Sequence, residues 1–348
     1  MSKVITFTEA IRQATEQSLQ RDSSVIVMGL GVCYKNGADG TMGTLKEEYP
    51  TRVFDTPVSE FCNTGVGVGA AVTGMKPIIH HARVEFGLFA IDQIVTQAAK
   101  WNYMFGGDNK VPIVFRLAVG RQWGNGPQHT QSLYSLFGSV PGLKVVIPSS
   151  PYMAKGLLTA AIQDNNPVVY MEPRWLYGLK EQVPEDYYEL PLNAARIVRN
   201  GTALTLVTYG DGVVDALKAQ DMLAPMGVDI EIVDLVSINP IDYKTVLDSV
   251  RKTGKLLCVD TTHDSFNIGS EIVSKVCRDA FECLSIPPRQ LSTPNTPCPT
   301  STSLTEKFYP TRLDVANQVA SMLGLPMFDE TLSFEEIHIL PKIEVSTA

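Results

Sequence analysis

The side chain with the most chemical potential in this sequence is an acid at a junction. Arg52 to Asp55 reads as a short strand, and Thr56-Pro57-Val58-Ser59 leads from it to Glu60. The residues that follow, Phe61-Cys62-Asn63-Thr64-Gly65-Val66-Gly67-Val68-Gly69-Ala70, are small enough for a helix, running to Gly74, that packs tightly against a neighbour. Glu60 is therefore expected at a helix start beside apolar sequence, where a carboxylate is poorly solvated and its proton affinity is open to adjustment. The helix dipole alone would also favour an acid there.

Two other groups could do chemistry. Lys76 to Arg83 reads as a strand that ends in unusual polarity, His80-His81-Ala82-Arg83-Val84-Glu85. Four charged or titratable side chains so close together are costly to bury unless paired, so they either pair among themselves or meet a polar substrate. His81 and Glu85 stand four apart, a metal-ligand spacing on a helix but not on a strand end. His129 lies in a glycine-rich loop, Gly120 to Gln131, after the apolar strand Val111 to Leu117. Loops after strands often present binding residues, and imidazole is the side chain suited to moving protons near neutrality. Plain solvation is the other reading of a loop histidine.

The elements that must position these groups alternate. A helix opening at Thr8 and carrying Ala10, Ile11, Ala14 and Leu19 precedes a buried strand, Ser24 to Leu30, and Gly31 to Tyr49 reads as a surface loop. A long helix is expected from Phe86 to about Phe105, stopped by Gly106-Gly107. Strands at Lys144 to Pro148 and Pro167 to Met171 flank a helix, Tyr152 to Gln163. After a charged, proline-containing lapse the alternation resumes: strand Ala203 to Tyr209, helix Val213 to Leu223, strand Asp229 to Asp234, helix Tyr243 to Val250 and strand Lys255 to Val259. Pro287 to Pro299 reads as a surface passage before a last helix, Arg312 to Leu323. Strands alternating with helices imply parallel βαβ units. The fold expected is α/β with two doubly wound domains, residues 1–185 and 199–326, joined by a linker at 186–198 and followed by a tail at 327–348.

Composition excludes several classes. With 348 residues and 44% apolar content the chain can bury a large core. Its net charge is −8 with Lys and Arg scattered, so no clustered basic footprint of a nucleic-acid binder is present. The six cysteines show neither CxxC pairs nor zinc-like grouping. No apolar run approaches membrane-spanning length and no secretory leader pattern opens the chain, so a cytoplasmic setting with reduced thiols is expected.

Taken in order, the motifs are specific. Asp55-Thr56-Pro57-x-x-Glu60, Gly67-Val68-Gly69-Ala70-Ala71-x-x-Gly74, Phe86 with Ala90-Ile91-Asp92-Gln93, Gln128-His129-Thr130-Gln131-Ser132 and Pro141-Gly142-Leu143-Lys144-Val145-Val146-x-Pro148 follow one another. From about residue 3 to 325 the chain resembles the β subunit of thiamine-diphosphate-dependent 2-oxoacid dehydrogenases, the E1 component. The resemblance implies a pyrimidine-binding domain followed by a transketolase C-terminal-like domain. It implies that Glu60 hydrogen-bonds N1′ of the cofactor's aminopyrimidine and so favours the imino form, whose nitrogen removes the thiazolium C2 proton. Phe86 and Ala82 would lie against the pyrimidine, and His129 would assist proton transfer or the handing of the acyl group to lipoamide. The family's potassium site would fall on Ile113, Ala161, Asp164 and Asn166, oxygen ligands suited to a hard cation.

Gly210-Asp211-Gly212 and Asn239 match the spacing of the signature that binds Mg2+ and the cofactor's diphosphate. They fall where the C-terminal domain belongs, so a strand-to-helix turn is the better reading. The diphosphate side and its Mg2+ are then expected on a separate E1 α-like subunit in an α2β2 heterotetramer, with a lipoyl acyltransferase as docking partner and a small 2-oxoacid as substrate. His80, His81, Arg83 and Glu85 depart from the family's mostly apolar or uncharged strand, and Trp123 and Asn125 from its small residues. These departures favour a second reading: a two-subunit thiamine decarboxylase or ketol/acyl transferase of specialised metabolism, with a polar substrate and no lipoamide. A third reading is an inactive scaffold subunit.

Overall fold

The computed structural model describes residues 1–34, 37–121, 124–333 and 336, so Trp123 and most of the expected tail lie outside the described residues. The chain divides into two compact units, one taking in Met1–Gly120 and Leu136–Leu192, the other Arg121–Ser135 together with the chain from Asn193.

The first unit begins with β1 (Ser2–Thr6), α1 (Phe7–Arg21), β2 (Val25–Gly29), α2 (Leu45–Glu48), β3 (Val53–Asp55), α3 (Glu60–Val72) and β4 (Lys76–His81). A broken helical run follows: α4 (Val84–Gly87), one tight turn at Leu88–Ala90, a π-helical stretch at Asp92–Ala98 and α5 (Ala99–Met104). Next come β5 (Val114–Val119), α6 (Tyr134–Gly138), β6 (Lys144–Val146), α7 (Pro151–Gln163), β7 (Val168–Pro173) and β8 (Lys180–Pro184). Strands β6-β7-β5-β4-β2-β3 lie side by side in that order, all parallel. The residues of β2, β4, β5 and β7 are almost wholly buried, as a sheet covered on both faces requires. β1 and β8 form a separate antiparallel pair.

Local chemistry explains the element ends. The first helix starts earlier than the Thr8 expected, because Thr6 is the cap and accepts a hydrogen bond from the Glu9 amide at 3.1 Å. Ser150 caps α7 and Pro151 opens it, where a missing N–H costs nothing. The single helix expected over 86–105 is broken. Its π-helical stretch widens the turn and re-phases the faces, burying Ile94 and Ala98. In α3 the small residues do what their sizes suggest: a Cβ on Gly67 would come within 2.6 Å of Ile79 Cδ1 on β4.

The second unit contains β9 (Arg196–Arg199), β10 (Leu204–Thr208), α8 (Gly212–Leu223), β11 (Ile230–Asp234), β12 (Ser237–Asn239) and α9 (Tyr243–Thr253). It continues with β13 (Leu256–His263), α10 (Ile268–Asp279), β14 (Arg289–Thr293), α11 (Thr302–Thr305) and α12 (Arg312–Leu323). Its sheet runs β14-β13-β10-β11-β9, parallel except for β9 at one edge. The stretch expected as a surface passage thus contains a strand, β14, which pairs with β13 and carries Thr293 into the interior. Leu217 and Leu223 of α8 and Val315 and Val319 of α12 share one core with β10 and β11. A reciprocal cap between Thr311 and Asp314 starts α12, and left-handed Gly324 ends it. Both units are therefore α/β and built on parallel strands, the doubly wound arrangement the alternation predicts.

Candidate active site

In the first unit the carboxyl ends of β2 and β4 and the start of α3 surround a narrow recess. Open parallel sheets characteristically bind ligands at this edge. Glu60, Asn63, His80, His81, Ala82 and Phe86 line it, with Gly29, Leu30, Thr56, Pro57 and Ile79. Sequence reasoning placed five of these residues at one site, and the fold brings them together. Arg83 and Glu85, expected beside them, do not line this recess. Arg83 precedes α4 and is half-buried, and Glu85 is buried in its first turn.

Glu60 is the first residue of α3, and the turn before it is held by Asn63, whose side-chain amide donates to the Pro57 carbonyl at 2.8 Å. The carboxylate is half-buried, less enclosed than the apolar flanks suggest, and makes no side-chain hydrogen bond among the described residues. It faces the recess uncommitted. Phe86 is likewise half-buried at the same recess.

The two histidines are 4% exposed each, but their surroundings differ. His81 Nε2 lies 3.2 Å from Thr64 Oγ1 on α3, and burial pushes its imidazole down to about 4. Neither ring nitrogen of His80 has a hydrogen-bond partner among the described residues. Burial first, and then the positive Arg116 and the adjacent His81, hold the His80 imidazole well below its ordinary value, so it is neutral.

Arg116 stands opposite His80 across the β4–β5 register and is fully buried. Its guanidinium donates to both Glu172 oxygens, at 2.6 and 3.0 Å, and to Thr41 Oγ1 at 2.9 Å. Tyr177 donates to Glu172 as well, at 2.8 Å. Burial works against the charge of Arg116, but the Glu172 carboxylate outweighs it and raises the guanidinium's affinity for its proton. Sequence reasoning missed this group. An arginine inside the otherwise apolar run Val114–Val119 was the available signal, since a buried charge requires a partner.

His129 belongs to the second unit, through the segment Arg121–Ser135. It is half-buried, and its Nδ1 lies 2.5 Å from the Gln128 carbonyl. Arg121 anchors the segment within that unit by ion pairs to Asp211 at 3.0 Å and Asp215 at 2.8 Å, and by donating to the Pro310 carbonyl at 3.3 Å. Burial opposes this charge too, and Asp215 and Asp211 together outweigh it. Asp211 thus gives Oδ2 to an arginine, while its Oδ1 is buried without a hydrogen-bond partner among the described residues; Gly210-Asp211-Gly212 forms a turn into α8. Among the described residues no cluster of His, Cys, Asp and Glu is arranged to hold a metal.

Around the turn after α7, the Ile113 carbonyl accepts from the Val168 amide at 2.9 Å and the Ala161 carbonyl from the Asp164 amide at 3.3 Å. The Asp164 carboxylate pairs with Lys144 and accepts from the Asn166 amide at 2.9 Å. Each main-chain carbonyl keeps a second lone pair, and so does each oxygen of the Asp164 carboxylate, so both kinds of oxygen are open to a cation here.

Residues 3–180 match the model of the transketolase pyrimidine-binding domain, and residues 193–315 that of the transketolase C-terminal domain. The chain is 41% identical over 326 residues to the β subunit of acetoin:2,6-dichlorophenolindophenol oxidoreductase from Cupriavidus necator, covering 91% of this chain and 96% of that one. It is 37% identical to the Bacillus subtilis protein of the same name, covering 94% and 99%. Against the pyruvate dehydrogenase E1 component subunit β of Rhizobium meliloti it is 40% identical, covering 91% and 70%. A solved split-gene transketolase, described as an inactive β4 tetramer, superposes with a TM-score of 0.74 over 92% of this chain and 99% of that one. Its sequence identity is 21%, so it bears on the fold alone.

Proposed function

The chain belongs to the transketolase family, in close relation to the E1 β subunits of 2-oxoacid dehydrogenases, and from that premise we infer how its own residues serve a thiamine-diphosphate-dependent decarboxylation. It is an enzyme subunit of the 2-oxoacid dehydrogenase type. Thiamine diphosphate, when bound, supplies a thiazolium carbon that can add to a carbonyl and take up the electron pair left by departing carbon dioxide.

One observation supports the assignment most: an uncommitted Glu60 carboxylate faces the same recess as Phe86 and Ala82. Glu60 holds and releases the proton at the pyrimidine's N1′, which needs a carboxyl within reach and no competing donor. Phe86 and Ala82 supply the apolar wall for a flat ring. His129 serves proton transfer or the acyl handoff to lipoamide. Asp211 gives one oxygen to Arg121 and lies in the C-terminal-domain part of the chain, so this reading leaves the diphosphate and Mg2+ to an α-like chain in an α2β2 assembly. A lipoyl acyltransferase is the docking partner this reading assigns. Potassium is assigned to the carbonyls around Ile113, Ala161, Asp164 and Asn166.

The test is a Glu60→Gln chain co-purified with its α-like partner. Decarboxylation should fall by about 10²- to 10⁴-fold, the range for losing a positioned proton-transfer group, with the melting temperature unchanged. A normal rate would overturn the assignment. The buried histidines at the recess favour, as a second reading, a decarboxylase or ketol/acyl transferase with a polar substrate and no lipoamide. Acyl transfer to a lipoyl domain, present or absent, separates the two.

A further inference from the structure

We propose that His80 selects the substrate, and that the substrate class is a 2-oxoacid bearing a hydroxyl on its side chain. The proposal rests on the reading of the recess as the site of a thiamine enzyme. His80 lines that recess with Glu60 and Phe86, is 4% exposed, and has neither ring nitrogen bonded by the described residues. The backbone at His80 is held from behind. Its strand neighbour Arg116 is fully engaged by Glu172 and Thr41, and a Cβ on Gly29 would come within 2.5 Å of the His80 carbonyl, so β2 presses directly on this point of β4.

A neutral imidazole presents one N–H donor and one lone pair. A hydroxyl suits either nitrogen, because it can accept from the N–H or donate to the lone pair. An alkyl side chain would cover a polar group and leave it unpaired, a mismatch that hydrogen-bonding sites reject strongly. A second carboxylate would accept from the N–H only, and it would lose hydration without meeting a charge, since His80 is held neutral by burial and by Arg116.

The test uses the chain co-purified with its α-like partner and three donors: 3-hydroxypyruvate and 2-oxobutanoate, matched in size, and 2-oxoglutarate, which adds a second carboxylate. In the first two a hydroxyl replaces a methyl on the same carbon. We expect kcat/KM for 3-hydroxypyruvate to exceed that for 2-oxobutanoate by at least about 30-fold, with 2-oxoglutarate poorest. In His80→Phe the ratio should fall below about threefold, mainly through KM for the hydroxylated donor, while His80→Gln, which also offers a donor and an acceptor, should keep part of it. Thermal unfolding of each variant reports whether it folds. An unchanged ratio in folded His80→Phe, or a wild-type preference for 2-oxobutanoate or 2-oxoglutarate, overturns the proposal while Glu60-dependent turnover still stands. Turnover of every donor that is indifferent to Glu60→Gln overturns the underlying reading, and this proposal with it.

Discussion

His80 and His81 carry a thermodynamic signature. Both are folded in the neutral form, and burial brings His81 from 6.5 to about 4. A histidine whose affinity for protons is lower in the folded state leaves stability untouched above its unfolded value of 6.5. Below that value the unfolded chain takes up protons that the folded chain refuses, so stability falls with pH until the folded value is reached. The expected loss between pH 6.5 and 5 approaches about 1.4 kcal/mol per pH unit for each histidine. Urea unfolding across that range measures it, and His81→Phe should remove about half the slope. The imidazoles themselves were plain in the sequence. Their neutrality was not, because it comes from burial and from Arg116, which lies 36 residues after His80 in the chain and meets it only across a strand pair.

At the scale of elements, the recess exists because two glycines let backbones approach closely. Gly67 lets α3 seat on Ile79 of β4, and Gly29 lets β2 lie against the His80 carbonyl. Gly29→Ala places its methyl against backbone, which cannot swing aside, so a loss of about 1–3 kcal/mol in chemical unfolding is expected. Gly69 is the contrasting position: it lies in the last turn of α3 and is exposed, and a methyl added there would meet nothing within 4 Å. Gly69→Ala should therefore stabilise by about 0.5–1 kcal/mol through helix propensity. The two glycines look alike in Gly-Val-Gly-Val-Gly and in Val-Met-Gly. What separates them is which face of the element meets a neighbour, and periodicity reports that only when the apolar residues are large.

Across the whole molecule, the alternation of apolar strands and helices made both α/β units legible, because parallel strands buried on both faces read as continuous apolar runs. Pairings between distant parts of the chain were not legible. β1 joins β8 across about 180 residues, and β14 hides in proline-rich sequence where its partner β13 alone makes it a strand. The proposed α-like partner is expected on an apolar surface. Val58, Phe61 and Val66, at and beside the start of α3, are 74%, 53% and 55% exposed, an apolar surface next to Glu60. Phe61→Glu should weaken co-purification with the α-like chain by at least about tenfold, as loss of an aromatic anchor does, while leaving the melting temperature of the isolated chain within about 1 °C of wild type. Co-purification at full yield would remove this face as the contact.

The segment Arg121–Ser135 leaves the first unit, is pinned by Arg121 to Asp211 and Asp215, and returns at Leu136. The chain is therefore not a string of two exchangeable modules. Joining its first 190 residues to the C-terminal half of a relative would set Arg121 against foreign neighbours and disturb the loop that carries His129. Crossovers that respect this interleaving must replace residues 121–135 together with everything after 193. Recombination that cuts only at the linker would separate the histidine from the acids that hold its loop.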